Sequence, residues 1–403
     1  MNIAVVHNHY QQPGGEDQVF SAEATLLEER GHVVTRYTAH NDAVTDMSRL
    51  ALASSTVWNA EQYSKLRSLF DRVRPHVVHV HNTLPIVSPA VYYAARAAGA
   101  AVVQTLHNYR LVCPSGLLFR DGAPCESCVG KTLPWPSVVH ACYRGSRAAT
   151  GAVAASLVFH RAKGTYRHVV DRYIALTEFA KSRFVAGGLP EHLIVVKPNF
   201  LAPDPGPGDG AGGYALFVGR LSVEKGLDVL LDAWRRAPGR MPLRIIGDGP
   251  LATEVTRRSA DIESVKLLGR LPAAAVRQQM KSAAAVVVPS VWYEGFPMTI
   301  VESFAVGTPV LASELGALTE IVDHRRTGLR FVPGVGAALA AAVQWVADNP
   351  DAVCRMRTAA RGEYLLRYTA DATYTQLVDV YEAAIDGLRA TRRRGNLHQS
   401  QAR

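Results

Sequence analysis

Pro203-Asp204-Pro205-Gly206-Pro207-Gly208-Asp209-Gly210-Ala211-Gly212-Gly213 divides this 403-residue chain into two parts that repeat one pattern. Its prolines lack backbone donors and its glycines are costly to order, so the stretch holds neither helix nor strand and reads as a linker. Upstream, short β-branched runs at residues 3–7, 32–37, 76–81, 101–106 and 173–176 alternate with helical stretches at 18–30, 61–74 and 89–98. Gly31 and Gly99 stand where helix C-caps belong. Downstream the alternation restarts, with strands expected at 214–218, 243–246, 265–268, 285–288 and 309–312. Helices are expected near 336–347, 351–366 and 370–390. Two consecutive βα-repeating blocks predict an α/β fold of two Rossmann-like domains facing each other across a cleft, with ligands at the carboxyl ends of the strands. The expected bounds are 1–202, a linker at 203–213, 214–362, a closing helix at 363–390, and a basic tail at 391–403 expected to be disordered.

Hydrophobic residues make up 48% and charged residues 20%, an ordinary globular balance. No apolar run reaches the roughly 18–20 residues needed to cross a bilayer. The start, Met1 to His7, has no basic segment or small-residue cleavage site and reads as a buried strand, so the expected compartment is the cytoplasm. The net charge of +9 suits attraction to anions such as nucleotides or acidic lipid, although a solvated surface explains it equally. No nucleic-acid motif is present.

The stretch Glu294-Gly-Phe-Pro-Met-Thr-Ile-Val-Glu302 follows an apolar strand and opens a helix. Pro297 suits the first helical turn, where its missing N–H costs nothing. The amides of Met298 and Thr299 are then free to hold a phosphate, bracketed by two carboxylates suited to sugar hydroxyls. Upstream, Gly219-Arg220-Leu-Ser-Val-Glu-Lys225-Gly226 places two cations in a strand-to-helix loop, where they can converge on a diphosphate. Negative charge builds on that group as a glycosidic bond breaks, and fixed cations stabilise it without a metal. Surface charge is the plain alternative for either cation alone.

Together with Ile246-Gly-Asp-Gly249, Leu268-Gly-Arg270, Thr308-Pro309-Val310 and Gly328-Leu329, these motifs resemble the retaining glycosyltransferases of family 4. The resemblance extends over nearly the whole chain and is densest in residues 214–333. It implies Arg220 and Lys225 on the donor diphosphate, Glu302 on the ribose, Glu294 on the donor sugar, and Arg270 with Leu271 against the base. Phe296, Met298 and Thr299 complete the donor-binding set. In the first domain, Pro13-Gly14-Gly15-Glu16 resembles the family's glycine loop, which puts Gly14 and Gly15 near the donor phosphate. His107, at a strand end, falls beside the donor sugar by the same resemblance. His81 and Asn82 also end a strand and are candidates for the acceptor pocket. A retaining family implies same-face displacement, with the leaving phosphate taking the acceptor's proton. In the family the last helix packs back on the first domain, which suits the stripe Tyr374, Leu377, Val378, Tyr381 and Ile385.

Cys113, Cys125, Cys128 and Cys142 fall in an irregular insert at 108–146. A C-x2-C knuckle with one cysteine on each side is the ligand set of a structural zinc site. Four reduced cysteines packed as small hydrophobes are the alternative. The following stretch, Tyr143 to His168, alternates cations with apolar residues, as a core-packed helix or one lying on anionic lipid would. The expected activity is transfer of a sugar from a UDP- or GDP-linked donor to a glycan or lipid-linked acceptor, in envelope or exopolysaccharide synthesis, with no cofactor for transfer. The expected place is the cytoplasm or the inner membrane face. The rivals are a nucleotide-sugar epimerase of the same fold, a pyridoxal-dependent phosphorylase, and a non-catalytic sugar-nucleotide binder.

Overall fold

The computed structural model describes residues 1–401 apart from residues 12, 13 and 46, with the backbone alone described from residue 391. Two compact units are present. The first comprises Met1–Leu117, Glu126–Pro198 and Thr373–Arg403, and the second Leu118–Cys125 with Asn199–Ala372.

In the first unit, β1 (Asn2–His9), β2 (Val33–His40), β3 (Val77–Val80) and β4 (Ala101–Thr105) precede a two-stranded hairpin, β5 (Phe119–Arg120) and β6 (Ala123–Pro124), that groups with the second unit. The first unit's sheet is completed by β7 (Arg172–Ala175) and β8 (Ile194–Val196), in the order β2-β1-β3-β4-β7-β8, and its pairings are parallel. Strands β1, β3 and β4 are buried along most of their length, as β-branched runs covered by helices on both faces should be. Because β2 and β3 flank β1, consecutive connections turn to opposite sides there, which opens a crevice beyond the ends of β1 and β3.

The second unit carries β9 (Ala215–Val218), β10 (Leu243–Ile246), β11 (Val265–Gly269), β12 (Ala285–Val288), β13 (Val310–Ser313) and β14 (Gly328–Phe331). Their order is β11-β10-β9-β12-β13-β14, so the reversal falls between β9 and β12. The sequence expectations omit β8 and β14, which stand at the edges of the two sheets.

The Gly/Pro stretch lies within the second unit, and the division falls at Pro198–Asn199. Gly208, Gly210 and Gly212 donate their amides to Val306, Lys281 and Ser282 carbonyls at 2.8–2.9 Å. A Cβ on Gly208 would stand 2.2 Å from the Lys281 oxygen, so glycine here permits close approach as well as turning.

The last helix, Ala370–Gln401, sends Leu377, Val380, Tyr381, Ala384 and Leu388 into one core with Ile3, Val5, Phe20 and Val77 of the first unit. Its helical backbone continues to Gln401, where a disordered tail was expected; no proline interrupts residues 391–401, and most of them tolerate helix.

Candidate functional site

In the second unit the two loops that carry the strongest sequence signals emerge at the switch point, one after β9 and one after β12. That topology explains why Lys225 and Glu294 meet: Lys225 Nζ donates to Glu294 Oε1 at 2.8 Å. Ser290 Oγ donates to the same oxygen at 2.6 Å, and the Lys225 ammonium stands 5.3 Å from the Trp292 ring centre. Glu294 is buried, and Lys225 keeps part of its side chain in solvent. Arg220 is exposed just past β9, with no protein partner for its guanidinium among the described residues.

Glycines hold this loop in place. Gly226 has φ 73°, and a Cβ there would meet the Pro289 oxygen at 1.9 Å. Gly247 has φ 149°, and a Cβ there would meet the Gly219 oxygen at 1.8 Å. The loops after β9, β10 and β11 are laced by backbone bonds: Gly219 N–H to Ile246 O, Leu221 N–H to Asp248 O, and Gly247 N–H to Gly269 O, at 2.9–3.1 Å. Arg270 is exposed and Leu271 half-buried where this lacing ends.

Helix Met298–Ala305 starts one residue later than the sequence suggested. Pro297 is its N-cap, with ψ 108°, because the extended backbone there lets the chain leave the strand-end loop before turning. The amides of Met298 and Thr299 still precede the first helical acceptor, while Ile300 N–H already reaches Pro297 O. Phe296 and Met298 are half-buried against the core beneath. Burial pushes the Glu302 carboxyl up to about 7, and Arg277, which sequence reading did not single out, opposes that shift.

In the first unit, Gly14 and Gly15 begin helix Gly15–Glu29, while Pro13 of the same motif lies outside the described residues. Gly14 N–H donates to Asp17 Oδ2 at 2.6 Å, and Asp17 Oδ1 stands 2.7 Å from His7 Nε2 and 3.0 Å from His9 Nδ1. Burial raises the Glu16 carboxyl to about 7 against the opposing pull of Tyr10 and Arg110. Asn108 Nδ2 approaches Glu16 Oε2 at 3.4 Å. His81, Asn82, His107, Asn108 and Arg110 line one hollow together with Leu157 and Tyr166. His107 Nε2 is 2.9 Å from His81 Nδ1. Sequence reading passed over His79, although Val78-His79-Val80-His81 sets two histidines on one face of an apolar strand, a visible signal.

Cys113 and Cys128 are buried, Cys125 and Cys142 half-buried, and none is in a disulfide. Cys113 Sγ lies 3.2 Å from Ser115 Oγ.

Residues 212–349 match the family described as glycosyl transferases, group 1. The chain is 33% identical over 180 residues to glycogen synthase of Mycobacterium tuberculosis, covering 43% of each protein. It is 33% identical over 178 residues to phosphatidyl-myo-inositol mannosyltransferase of Mycobacterium leprae, covering 42% of this chain and 46% of that one. The alignments thus span less than half the length of these curated relatives. Among solved structures, Anabaena HepE in complex with UDP superposes with TM-score 0.68 at 18% identity, covering 95% of this chain and 100% of that one. Sucrose-phosphate synthase of Thermosynechococcus elongatus gives TM-score 0.69 at 16% identity, covering 95% of this chain and 98% of that one. These likenesses, with two parallel six-stranded sheets, establish the GT-B fold.

Proposed function

We propose that this chain is a retaining, metal-independent glycosyltransferase that moves a sugar from a UDP- or GDP-linked donor to a glycan or lipid-linked acceptor. The observation that carries this reading is the meeting of Lys225 and Glu294 at the β9/β12 switch point, inside the segment that matches the group 1 family. Arg220, Lys225 and the amides of Met298 and Thr299 stabilise the charge that grows on the departing diphosphate. Glu302 accepts from the ribose hydroxyls, Arg270 and Leu271 flank the base, and Glu294 orients the donor sugar. In the first unit, His107 contacts a sugar hydroxyl and the hollow around His81 and Asn82 takes the acceptor. The leaving phosphate removes the acceptor's proton, so Glu294 and His107 polarise rather than attack. Cys113, Cys125, Cys128 and Cys142 are the candidate ligand set of a structural zinc, a role separate from the transfer step, although among the described residues the groups whose ligand atoms lie within 4.8 Å of one another do not include them.

The acceptor reading extends to a lipid surface. Among the described residues, no helix is long and apolar enough to cross a membrane. Between Glu126 and Asp171, however, the sequence has no acidic residue. The short helix Trp135–Val139 there leaves Trp135 and Val139 exposed beside exposed Leu133, with Lys131, Arg144 and Arg147 also exposed. Apolar side chains next to unopposed cations suit anionic headgroups.

The test is a thermal-shift screen against UDP- and GDP-sugars, followed by NMR of the anomeric configuration of any transferred sugar. A stabilising donor and a product retaining the donor's configuration are expected. Binding without transfer, or an inverted product, would overturn the reading.

A further inference from the structure

Behind His107 runs a line of buried polar groups, of which Glu23, His79 and Lys197 have no part in the proposed chemistry. Helix Gly15–Glu29 buries Glu23, whose Oε1 accepts from Lys197 Nζ at 2.7 Å. Both side chains are fully enclosed, and the ammonium also donates to Pro198 O at 3.2 Å. The other carboxylate oxygen, Oε2, faces His81 Nε2 at 3.5 Å, and both atoms are enclosed without a hydrogen-bond partner at closer range. Across the same ring, His81 Nδ1 lies 2.9 Å from His107 Nε2.

Burial drives both His81 and His107 well below the ordinary imidazole range, so at neutral pH each ring carries a single proton. Only one proton can then occupy the 2.9 Å contact between them. If His81 supplied it, the His81 Nε2 lone pair would point at the Glu23 carboxylate, setting negative density against a charge in a fully enclosed site. If His107 supplies it, His81 carries its own proton on Nε2 and presents it to Glu23, which is attractive. We infer that Glu23, acting through His81, holds His107 as the Nε2–H tautomer and leaves its Nδ1 as a bare acceptor for a sugar hydroxyl.

Lys197 supplies the countercharge that keeps a carboxylate in this interior. His79 is committed elsewhere: its Nδ1 lies 2.8 Å from Tyr381 OH and its Nε2 2.8 Å from Thr105 Oγ1. That commitment, and the ammonium already on Glu23, leave Glu23, His79 and His81 poorly suited to a metal although their ligand atoms lie within 4.8 Å of one another. Among the described residues, His107 Nδ1 takes no protein hydrogen bond, and the ring borders the hollow. Glu23 and His81 are therefore positioning residues. They make His107 demand a donor group, which selects a sugar bearing a hydroxyl at the contacted carbon over its deoxy analogue.

The sugar contact rests on the function proposed above; the tautomer does not. The experiment is long-range nitrogen–proton NMR on the full chain labelled in its histidines, without ligand, with His107 assigned by loss of its signals in His107→Asn. The expected result is a protonated-type Nε2 and a bare-type Nδ1 for His107. In Glu23→Gln the amide can donate to His81 Nε2, reversing the line, and His107 should become Nδ1–H. Should Glu23→Gln fail to fold beside Lys197, Glu23→Leu/Lys197→Met removes both charges, and the Nε2–H preference of His107 should then be lost. An Nδ1–H tautomer in the unmodified protein, or an unchanged tautomer in both variants, would overturn the inference. Failure of sugar transfer with the expected tautomer present would instead sink the proposed function alone.

Discussion

Lys225 Nζ stands 2.8 Å from Glu294 Oε1, 69 positions further along the chain, and the pair sits where the second sheet reverses its winding. Without ligand the two charges satisfy each other, and Ser290 and the Trp292 ring complete the surroundings. Arg220, by contrast, projects into solvent with its charge uncommitted to any described residue. A diphosphate entering this loop would thus find one free cation and one borrowed from a carboxylate.

Lys225→Ala and Arg220→Ala should each lower kcat by about 10²–10³, the effect of losing one fixed donor worth about 2.7–4 kcal/mol in the transition state. Only Lys225→Ala should also lower the melting temperature, because it strips a buried carboxylate of its partner. Steady-state kinetics and calorimetry on both variants check this. Near-normal turnover in both would remove the diphosphate assignment.

Glu16 and Glu302 are each pushed up to about 7 from an ordinary value of 4.5 by burial. Between those values the folded chain holds protons that the unfolded chain has released, so the contribution of these two groups to stability falls as pH rises through that window. Buried His79, His81 and His107, held below the ordinary imidazole range, act in the opposite sense, so the check is a comparison. Raising the pH from about 5 to about 8 should favour the folded state more in Glu302→Gln than in the unmodified chain, as read from urea midpoints. Donor affinity should rise with pH through about 7 as Glu302 ionises to accept from the ribose. A pH-independent donor affinity would separate Glu302 from the ribose.

Removing the final helix should be severe. Tyr381 is fully buried and its hydroxyl is 2.8 Å from His79 Nδ1. Tyr381→Ala is expected to cost about 3–5 kcal/mol, as other deletions of large buried aromatics do. Truncation after Tyr368 should expose Ile3, Val5 and Phe20 and yield insoluble protein. Denaturant unfolding of the point variant and the solubility of the truncation are the measurements; a soluble, active truncated chain would contradict this account.

Elemental analysis of protein purified without added metal should find about one zinc per chain, with Cys128→Ser reducing it and lowering stability more than donor affinity. Absence of both zinc and iron would leave the cysteines as reduced packing groups.

Leu133→Ser/Trp135→Ser should lose sedimentation with vesicles containing anionic phosphatidylglycerol while leaving neutral phosphatidylcholine vesicles unaffected. Added salt should weaken binding of the unmodified chain, since the cations act through screened charge. Salt-insensitive binding, or none, would rule out this face.

The paired Rossmann-like blocks were legible in the sequence because β-branched runs and helical spacing record local burial, and local burial is a property of neighbours along the chain. The Glu294…Glu302 stretch and the Gly219–Gly226 loop were legible for a related reason. Strand-end loops need glycine where backbones approach closely, and Gly226 and Gly247 prove to be such places. What sequence could not supply was partnership. Nothing local says that Lys225 pairs with Glu294, that Arg277 faces Glu302, or that Lys197 lies beneath Glu23, 174 residues away. Those pairs depend on strand order, and strand order follows from how the crossovers wind around β1 and β9. Tertiary structure also turned the Gly/Pro stretch from a loose tether into a strap bonded to Val306, Lys281 and Ser282, because its amides needed acceptors that only the folded second unit provides.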